Sequence, residues 1–394
     1  MRVAITYANS LALGGAERVL EVLARMFPEA HFFSLMTEDR FIPGALKGRQ
    51  ITTSFLDRFA WVKRSHRNFL PLYPLAVESL NLRGYELIIT ADGTATKGVI
   101  TDQSAVQVCY CHSPHRSLWD QYASYLDELS GTRRKIFMLS AHYVRQWDYL
   151  AAQRVDAFVA NSRYIQDRIR KYYRRDSTII FPPVDTSEGY VAESHGDYYL
   201  TVGRLVDVKR IDLLIEACNR LGRHLVIVGH GPCESGLRAI AGPTISFRGH
   251  TTDAELRDLY ARSKALLFAA EEDFGLVPVE AQSYGRPVIA YGKGGAMESV
   301  IGGFSPELQR DGRATGVFFD EQSVDSVVKA MLQFEMVEGK FLPTFIREHA
   351  KTFDTTVFCG KMLDFVQRQV ELRKGGARLP LLFPPSHPSM RAQG

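Results

Sequence analysis

Residues 265–280 read ALLFAAEEDFGLVPVE, and this stretch shows the unit from which the fold is built. The apolar run 265–269 has the length and composition of a buried β-strand, and a helical pattern begins near Pro278. Gly275 lies in the turn between them, where the missing side chain lets the main chain approach a ligand closely. A strand, a turn and a helix in this order form one βα unit of a parallel sheet.

Similar units extend along the chain in both directions. Short β-branched or aromatic runs alternate with amphipathic segments, which is typical of doubly wound α/β domains. In the first half, strands are predicted at residues 2–7, 30–35, 85–90, 106–111 and 157–162. In the second half, they are predicted at residues 198–203, 225–229, 245–248, 265–269, 287–291 and 316–319. Two such sets predict an α/β protein with two Rossmann-like, doubly wound domains.

The boundary between these domains is predicted near residues 182–196, where Pro182-Pro183 is followed by a polar stretch without periodicity. We expect an N-terminal domain (1–185), a second domain (186–355), a C-terminal helix that crosses back to the first domain (356–374) and a tail (375–394). The tail is rich in proline, glycine and serine, which indicates flexibility. Its four large apolar residues leave open a short docking or membrane-touching segment instead: Leu379, Leu381, Leu382 and Phe383.

The composition is that of an ordinary globular protein. Of the 394 residues, 45% are hydrophobic and 23% are charged, and a chain of this length usually forms two domains. The net charge of +4 is too mild for a nucleic-acid-binding domain. Five sparsely spaced cysteines indicate neither a disulfide framework nor a zinc site, which fits a reducing compartment. Because no signal peptide or membrane-spanning run is visible, we expect a cytoplasmic protein, or one attached to the inner face of the cell membrane.

Two acidic residues give the sharpest signal for a ligand site. Glu272 and Glu280 bracket seven residues that include the Phe274-Gly275-Leu276 turn. A strand-to-helix turn presents backbone N–H groups at a helix N-terminus, where they bind polar groups of a ligand. One carboxylate on the loop and one on the helix can then hold two hydroxyl clusters of a sugar nucleotide. The alternative is that the acids only stabilise the first helical turn.

A pair of basic residues complements the acids. Gly203-Arg204-Leu205 follows the first strand of the second domain, and Lys209 lies five residues after Arg204. A departing diphosphate gains negative charge, which an arginine and a lysine at a strand end can neutralise. The alternative is a solvated basic turn. No Asp-x-Asp sequence is present, so we expect no metal ion, with Arg204, Lys209 and helix N-termini acting in its place.

Four further turns are candidates for ligand contact. Gly14 and Gly15 precede a predicted helix, and a glycine-rich helix entry forms an anion site. His112 follows a predicted strand, at the strand end where α/β folds bind ligands. In the second domain, Gly229 and His250 lie in turns that follow strands. For each of them an ordinary structural turn is the alternative.

The Glu-x7-Glu pattern, together with Gly-Arg-Leu…Lys, resembles the family-4 retaining glycosyltransferases of the GT-B fold, in which two Rossmann-like domains face a central cleft. The resemblance covers most of residues 1–370 and implies a nucleotide-sugar donor as substrate. It implies that Glu272 contacts the donor sugar, that Glu280 holds the ribose, and that Arg204 and Lys209 clamp the diphosphate. The amides implied to flank the sugar are those of Phe274, Gly275, Leu276 and Val277. The remaining implied contacts are Gly14 and Gly15 to the diphosphate, and Gly203, Gly229 and His250 around the nucleotide. His112 is implied to act in catalysis, either by contacting the donor sugar or by stabilising the reacting geometry.

The segment Tyr110-Cys111-His112-Ser113-Pro114, with Trp119 and Tyr122 after it, is similar to one in bacterial mannosyltransferases of exopolysaccharide or O-antigen assembly. This similarity implies GDP-mannose as donor and a polyprenyl-diphosphate-linked saccharide as acceptor. UDP-glucose and UDP-N-acetylglucosamine stay open as donors. Basic and aromatic clusters at 58–67 and 163–175 are either solvated helix faces or contacts to anionic lipid headgroups or to a lipid diphosphate.

Two functions of other classes stand beside glycosyl transfer. A sugar-nucleotide epimerase or isomerase on the same scaffold would need an acid–base pair at the sugar, and none is visible outside the Glu272 loop. A noncatalytic carbohydrate- or nucleotide-binding protein would not need Arg204, Lys209 and Glu272 together. Retention of configuration at the anomeric carbon is implied by the resemblance alone.

Overall fold

The structure is a computed structural model that describes residues 1–10, 15–303, 313–373 and 375. Within these residues it contains two seven-stranded sheets connected by helices. The predicted α/β class with two Rossmann-like domains is thereby confirmed. Among the helices that the structure describes, none is both long and apolar enough to cross a membrane.

The first sheet is formed by the first half of the chain. Its strands are β1 (Val3–Ser10), β2 (His31–Thr37), β3 (Ile51–Thr53), β4 (Leu87–Thr90), β5 (Val106–Cys111), β6 (Ala157–Ala160) and β7 (Ser177–Ile179). The α-helices of this half are α1 (Gly15–Met26), α2 (Ala60–Arg64), α3 (Tyr73–Glu78), α4 (Tyr122–Asp127), α5 (Gly131–Arg154) and α6 (Arg163–Tyr173). The spatial order is β3-β2-β1-β4-β5-β6-β7, and β1 pairs in parallel with β2 and β4.

The second sheet is formed by the second half. Its strands are β8 (Tyr198–Val202), β9 (His224–Val228), β10 (Ile245–Gly249), β11 (Ala265–Phe268), β12 (Val288–Tyr291), β13 (Gly302–Gly303) and β14 (Gly316–Phe319). The α-helices are α7 (Ile211–Leu221), α8 (Glu234–Ala239), α9 (Asp253–Arg262), α10 (Leu276–Ser283), α11 (Ala296–Ser299), α12 (Val324–Val337), α13 (Pro343–Lys351) and α14 (Thr355–Arg373). The spatial order is β10-β9-β8-β11-β12-β14-β13.

The chain divides into two compact units. Within the described residues, unit 1 contains Met1–Cys111, His115–Val159 and the chain from Cys359 to Arg373, and unit 2 contains His112–Pro114 and Ala160–Phe358. The division therefore passes through β6 and through α14, whereas the sequence analysis sets its limits after residues 185 and 355. The domains 1–185 and 186–355 and the crossing helix 356–374 stay predictions. Apart from Gly375, the predicted tail 375–394 lies outside the described residues.

The central strands β8 and β11 of the second sheet are buried on both faces. Tyr199 and Leu267 belong to one apolar cluster, while their neighbours Leu200 and Leu266 belong to another. Because successive side chains of a strand point to opposite faces, the two clusters cover the two faces of the sheet. A strand buried in this way is apolar at nearly every position, which is why it is visible in the sequence as a continuous apolar run.

Three strands and one long helix are absent from the sequence prediction. The strands β3, β7 and β13 have only two or three residues each, too few for a periodic pattern. The helix α5 has 24 residues, but most of its surface is exposed. Its buried positions are mainly small, and one is charged: Ala141, Val144, Asp148, Ala151 and Ala152. The amphipathic pattern that predicts a helix is therefore weak in this segment.

Candidate functional site

The candidate site lies in unit 2, at the point where the strand order of the second sheet reverses. From β8 the chain continues outward to β9 and β10, and it then returns to the other side of β8 with β11 and β12. Doubly wound sheets bind ligands at the carboxyl ends of the strands beside such a switch point. The turn after β8 contains Gly203, Arg204 and Lys209, and the loop after β11 contains Glu272. The residues that the sequence singled out therefore follow the two strands that flank the switch point.

Two glycines allow the turns after β8 and β9 to pack backbone against backbone. Gly229 has φ +131°, and a Cβ atom on it would lie 2.0 Å from the carbonyl oxygen of Gly203. The amide of Gly203 in turn donates to the carbonyl of Val228 at 3.0 Å. No residue with a side chain can take the place of Gly229 without displacing the turn that carries Arg204 and Lys209.

Lys209 and Glu272 form an ion pair across the switch point. Lys209 ends the 3₁₀ turn Asp207–Lys209, and about a quarter of each side chain is exposed. The ammonium also lies 6.0 Å from the ring centroid of Phe268, the last residue of β11. The lysine lines a small recess whose other walls are Thr201, Val202, Gly203, Ile211, Phe268, Ala269 and Ala270. A cation and a carboxylate thus lie side by side at the edge of this recess.

The charge of Lys209 is sensitive to its surroundings. Burial, followed by the positive charge of Arg204, lowers the pKa of Lys209 to about 8. The carboxylate of Glu272 favours the charged ammonium and opposes this shift. An added anion near Lys209 and Arg204 would relieve the repulsion between the two cations, so the pair favours an anionic ligand.

The two neighbouring arginines differ in their contacts. Arg204 is exposed, and none of the described acidic residues forms an ion pair with it. Arg210 instead holds the carboxylate of Asp212, with a shortest distance of 2.9 Å, and these hydrogen bonds raise its pKa. Arg210 is therefore engaged at the start of α7, while Arg204 stays available to a ligand.

The loop after β11 leads directly into α10. We name residues 271–275 the acidic loop. Gly275 has φ +83° and precedes the first helical residue, and it has no side chain to cap the helix. Leu276 and Val277 are the first two residues of α10, so their N–H groups have no acceptor within the helix. These amides are the ones that the sequence analysis expects beside a ligand.

Phe274 anchors the acidic loop by its side chain. It is 3% exposed, and its ring centroid lies 5.5 Å from that of Phe181 and 5.6 Å from that of Phe353. The side chain is therefore part of the core of unit 2, and only the main chain of Phe274 is free to serve a ligand. This gives a physical reason for an aromatic residue at this position of the pattern.

Glu280, the second acid of the pattern, lies on α10 one turn after Leu276. Its carboxylate accepts a hydrogen bond of 2.7 Å from the hydroxyl of Tyr260, and the Tyr260 ring stacks on that of Tyr284. Glu280 is thus oriented from the side of α9. Both acids of the pattern belong to the same strand–loop–helix segment, as the sequence analysis expects.

His230 and His250 connect the turns after β9 and β10. The backbone N–H of His250 donates to Nε2 of His230 at 2.9 Å, and Nδ1 of His230 lies 2.9 Å from the carboxylate of Glu234. Because a backbone N–H can only donate, Nε2 is the acceptor and Nδ1 carries the proton directed at Glu234. The two rings lie 4.4 Å apart between centroids. The exposed His250 is therefore held in place next to the Gly229 turn.

A set of contacts between α6 and the acidic loop is not predicted from the sequence. Arg168 of α6, whose side chain is 7% exposed, pairs with Asp273 at 3.2 Å. Ser162, the N-cap of α6, donates from its hydroxyl to the carbonyl of Asp273 at 2.6 Å. The carboxylate of Glu298 accepts hydrogen bonds from the amides of Arg163 and Tyr164 at 2.7 and 3.1 Å. These contacts connect the start of α6 to the acidic loop. Of the residues involved, only Ser162 is recognisable in the sequence, as the N-cap of a helix.

The structure gives fewer contacts for the remaining predicted residues, His112, Gly14 and Gly15. His112 follows β5, and its carbonyl accepts a hydrogen bond from the Asn161 side chain at 3.2 Å. Gly15 is the first residue of α1, and Gly14 lies outside the described residues. Their roles toward a ligand stay predictions. No cluster of three or more His, Cys, Asp or Glu side chains within the described residues is arranged to hold a metal ion. The metal-independent reaction also stays a prediction.

Two family models match the chain, one after the other. The model described as Glycosyltransferase Family 4 matches residues 13–188, and the model described as Glycosyl transferases group 1 matches residues 187–347. Each model thus corresponds to one half of the chain, and the second contains the whole candidate site of the acidic loop and Lys209.

Curated relatives match over shorter stretches. An uncharacterized glycosyltransferase of Methanocaldococcus jannaschii is 23% identical over 205 residues, which cover 50% of this chain and 54% of that protein. A D-inositol 3-phosphate glycosyltransferase of Gordonia bronchialis is 37% identical over 123 residues, which cover 26% of this chain and 27% of that protein. The chain thus spans about half the length of the first relative and about a quarter of the second.

Solved structures share the fold over most of the chain. HepE of Anabaena, in complex with UDP-glucose, has a TM-score of 0.67 at 17% identity, with 93% of this chain and 100% of that chain covered. Sucrose-phosphate synthase of Thermosynechococcus elongatus has a TM-score of 0.66 at 16% identity, with 93% and 99% covered. At such identities the likeness concerns the fold. Because the two adjoining family models together match residues 13–347, the chain belongs to the glycosyltransferase group 1 and family 4 superfamily of the GT-B fold.

Proposed function

We propose that the chain is a retaining glycosyltransferase that moves a sugar from a nucleoside diphosphate to an acceptor hydroxyl. The observation that carries this proposal is the ion pair of Lys209 and Glu272 at the switch point of the second sheet. One partner suits a diphosphate and the other suits sugar hydroxyls, and both lie where doubly wound sheets bind nucleotides. The family matches support the same reaction class.

In this proposal unit 2 holds the donor. Arg204 and Lys209 neutralise the diphosphate as its bond to the anomeric carbon breaks, which is where the largest charge develops. Glu272 binds the sugar hydroxyls, Glu280 binds the ribose, and the first amides of α10 bind polar groups between them. The remaining proposed contacts follow the family resemblance: His112 and the amides of Phe274 and Gly275 at the sugar, Gly14, Gly15 and Gly203 at the diphosphate, and Gly229 and His250 at the base.

The chemical step needs no covalent attachment to the protein. The electron pair of the breaking bond goes to the diphosphate oxygen, and this oxygen takes the proton of the acceptor hydroxyl as the new glycosidic bond forms on the same face. The ion pair supports a binding role for Glu272, because a carboxylate held by an ammonium is a weaker nucleophile than a free one.

For the donor we propose GDP-mannose, and for the acceptor a polyprenyl-diphosphate-linked saccharide in bacterial surface polysaccharide synthesis. Both rest on the resemblance carried by residues 110–122, and such an acceptor would place the protein at the inner face of the cell membrane. A UDP-sugar is the second candidate donor, since the likeness in fold includes HepE in complex with UDP and with UDP-glucose.

A donor panel tests the proposal. The protein is incubated with GDP-mannose, UDP-glucose or UDP-N-acetylglucosamine, with and without a synthetic polyprenyl-diphosphate saccharide, and nucleoside diphosphate and products are measured. We expect acceptor-dependent release of nucleoside diphosphate and an anomeric configuration in the product equal to that of the donor. Conversion of the donor sugar without any acceptor would favour an epimerase, and binding without turnover of any donor would favour a noncatalytic binding protein.

A further inference from the structure

Exposed apolar side chains are concentrated in one part of unit 1. Half of the large apolar side chains that are exposed among the described residues lie in two short segments, 55–75 and 136–150. Leu139 and Leu150 of α5 are 75% and 60% exposed, and Trp61 of α2 is 59% exposed. Isolated exposed apolar residues are ordinary, but a contiguous group marks a surface that meets a partner.

One hydrogen bond joins α5 and α3 along this group. Trp147 of α5 donates from Nε1 to the carboxylate of Glu78 on α3 at 2.9 Å. Leu75 lies one turn before Glu78 on the same face of α3, while Tyr143 and Leu150 lie one turn before and after Trp147 on α5. The exposed apolar side chains of the two helices therefore lie within one helical turn of this bond.

Trp61 belongs to the same group through Phe69. The two rings meet edge to face, with centroids 4.8 Å apart, and Phe69 lies in the 3₁₀ turn His66–Leu72, which packs against α5. We name the combined group the α5 surface and define it by the exposed side chains of Trp61, Leu75, Leu139, Tyr143 and Leu150.

The charges around the α5 surface are mainly positive. Four exposed cations from its flanking segments have no acidic partner among the described residues: Arg58, Arg64, Arg133 and Lys135. Most of the acids close to them are already engaged: Asp57 pairs with Lys63 at 2.9 Å, Glu78 with Arg154 at 2.9 Å and Asp127 with Arg134 at 3.7 Å, while Glu128 is exposed. The surface is therefore apolar and aromatic at its centre and carries an excess of positive charge at its margin.

The second basic cluster of the sequence, 163–175, has a different arrangement. Arg168 of this cluster is buried against Asp273, and the start of α6 is bound by Glu298. The clusters 58–67 and 163–175 look alike in the sequence, but they differ in the contacts that their residues make in the structure. Only 58–67 adjoins a large exposed apolar group.

We propose that the α5 surface docks on the headgroup region of an anionic phospholipid bilayer. Trp61 and Tyr143 are amphipathic rings of the kind that lie at the membrane–water interface, and the leucines enter the boundary of the acyl chains. The four cations bind lipid phosphates. A lipid surface accounts for the excess of cations as well as the apolar centre, because apolar contact and attraction to anionic headgroups act together at such an interface. This docking does not depend on the proposed transfer reaction.

Vesicle flotation tests the proposal directly. We expect the protein to float with vesicles of equal parts phosphatidylglycerol and phosphatidylcholine, and to stay in solution with phosphatidylcholine alone. Binding should also shift the tryptophan emission to shorter wavelength through Trp61, because Trp119 and Trp147 are already bonded to Asp148 and Glu78. The variant Trp61→Phe should keep most of the binding and lose this shift.

Matched substitutions locate the surface. Leu139→Glu with Leu150→Glu should lower the partition coefficient by about tenfold or more, because each replaces an inserted side chain by an anion. Arg133→Gln with Lys135→Gln should lower it by about fivefold for each charge removed. Met336→Glu is the control, since this residue of α12 is 73% exposed and lies outside the α5 surface. Circular dichroism and thermal melting confirm that the exposed substitutions leave the fold intact.

Several outcomes would overturn the proposal. They are equal binding to both vesicle types, no binding to either, or a loss of binding in the Met336 control as large as in the Leu139 and Leu150 variant. A stable oligomer in solution that the same leucine substitutions dissociate would make the α5 surface a subunit interface instead. Because vesicle binding is measured without a sugar donor, its failure leaves the proposed transfer reaction unaffected.

Discussion

Lys209 is a cation whose charge depends on pH in the working range of an enzyme. A lysine is charged below its pKa, and burial together with Arg204 lowers the pKa of Lys209 to about 8. If the charged form binds the diphosphate, kcat/KM for the donor falls as the pH rises through about 8. The pH dependence of kcat/KM reports the pKa values of groups in the free enzyme. This alkaline limb of the profile therefore reflects Lys209 before a bound donor changes the local charge.

The variant Lys209→Arg tests whether Lys209, and no other titrating group, causes the fall of kcat/KM at alkaline pH. A guanidinium stays charged throughout the profile, so the alkaline limb near pH 8 should disappear, even though the shape of the side chain lowers the rate. A limb that persists unchanged in the arginine variant would show that another group is responsible.

Removing either partner of the ion pair should strongly impair transfer. We expect Lys209→Ala and Glu272→Ala each to lower turnover by roughly 100-fold, the scale of a lost electrostatic contact in a transition state. Arg210→Gln is the control, because Arg210 is engaged with Asp212 and should retain most of the activity. Near-normal turnover in both alanine variants would contradict the roles proposed for them.

Unit 1 contains a fully buried ion pair that concerns stability. Lys97 and Asp148 are both 0% exposed, and Asp148 also accepts from Nε1 of Trp119 at 2.7 Å. Replacing Lys97 by Met leaves a buried, uncompensated carboxylate, which should lower the free energy of unfolding of unit 1 by about 3–5 kcal/mol. The double variant Lys97→Met, Asp148→Leu should lose clearly less. Urea denaturation, followed by tryptophan fluorescence, compares the two.

Among the helices, α6 holds the acidic loop in position through direct contacts. Arg168 and Ser162 both contact Asp273, the residue next to Glu272. We expect Arg168→Ala to lower kcat by about tenfold, roughly 1.4 kcal/mol, with a smaller change in donor KM, because a displaced loop still binds but is less well aligned. Arg168→Lys should restore part of kcat. Arg170→Ala on the exposed side of the same helix is the control, with its side chain 69% exposed.

Equal losses in kcat for Arg168→Ala and Arg170→Ala would contradict a positioning role. So would a loss of kcat that follows the melting temperature alone across the three variants, since that pattern indicates a general loss of folded protein.

The elements that the sequence predicts well are those whose signal is local. Strands such as β8 and β11 are apolar throughout because both faces are buried, and Lys209 and Glu272 follow these strands directly. The pairing of Arg168 with Asp273 joins residues 105 positions apart, and no local pattern indicates it. The exposed apolar face of α5 is not predicted from the sequence for a related reason. In a helix with so weak an amphipathic pattern, the sequence does not indicate whether a leucine is buried or exposed. The exposure of Leu139 and Leu150 is visible only once the packing of α5 is known.

At the scale of the whole molecule, the proposed donor contacts are concentrated in unit 2. We expect a bound nucleoside diphosphate to slow amide hydrogen exchange in the turns around Lys209, Gly229 and Gly275, where backbone N–H groups meet the ligand. Slower exchange at the start of α1 would test the predicted contact of Gly14 and Gly15 separately. Protection confined to elements outside unit 2 would contradict the proposed donor site.

The division of α14 between the units has a consequence for how the chain folds during synthesis. Unit 1 includes residues 359–373, and Arg373 at the end of α14 lies 3.7 Å from Asp156 in an ion pair within this unit. Residues 359–373 leave the ribosome only after all of Ala160–Phe358 has been made. Unit 2 can therefore fold while unit 1 still waits for its last helical segment. A fragment that stops at residue 185 would lack a piece of the very unit it was meant to isolate.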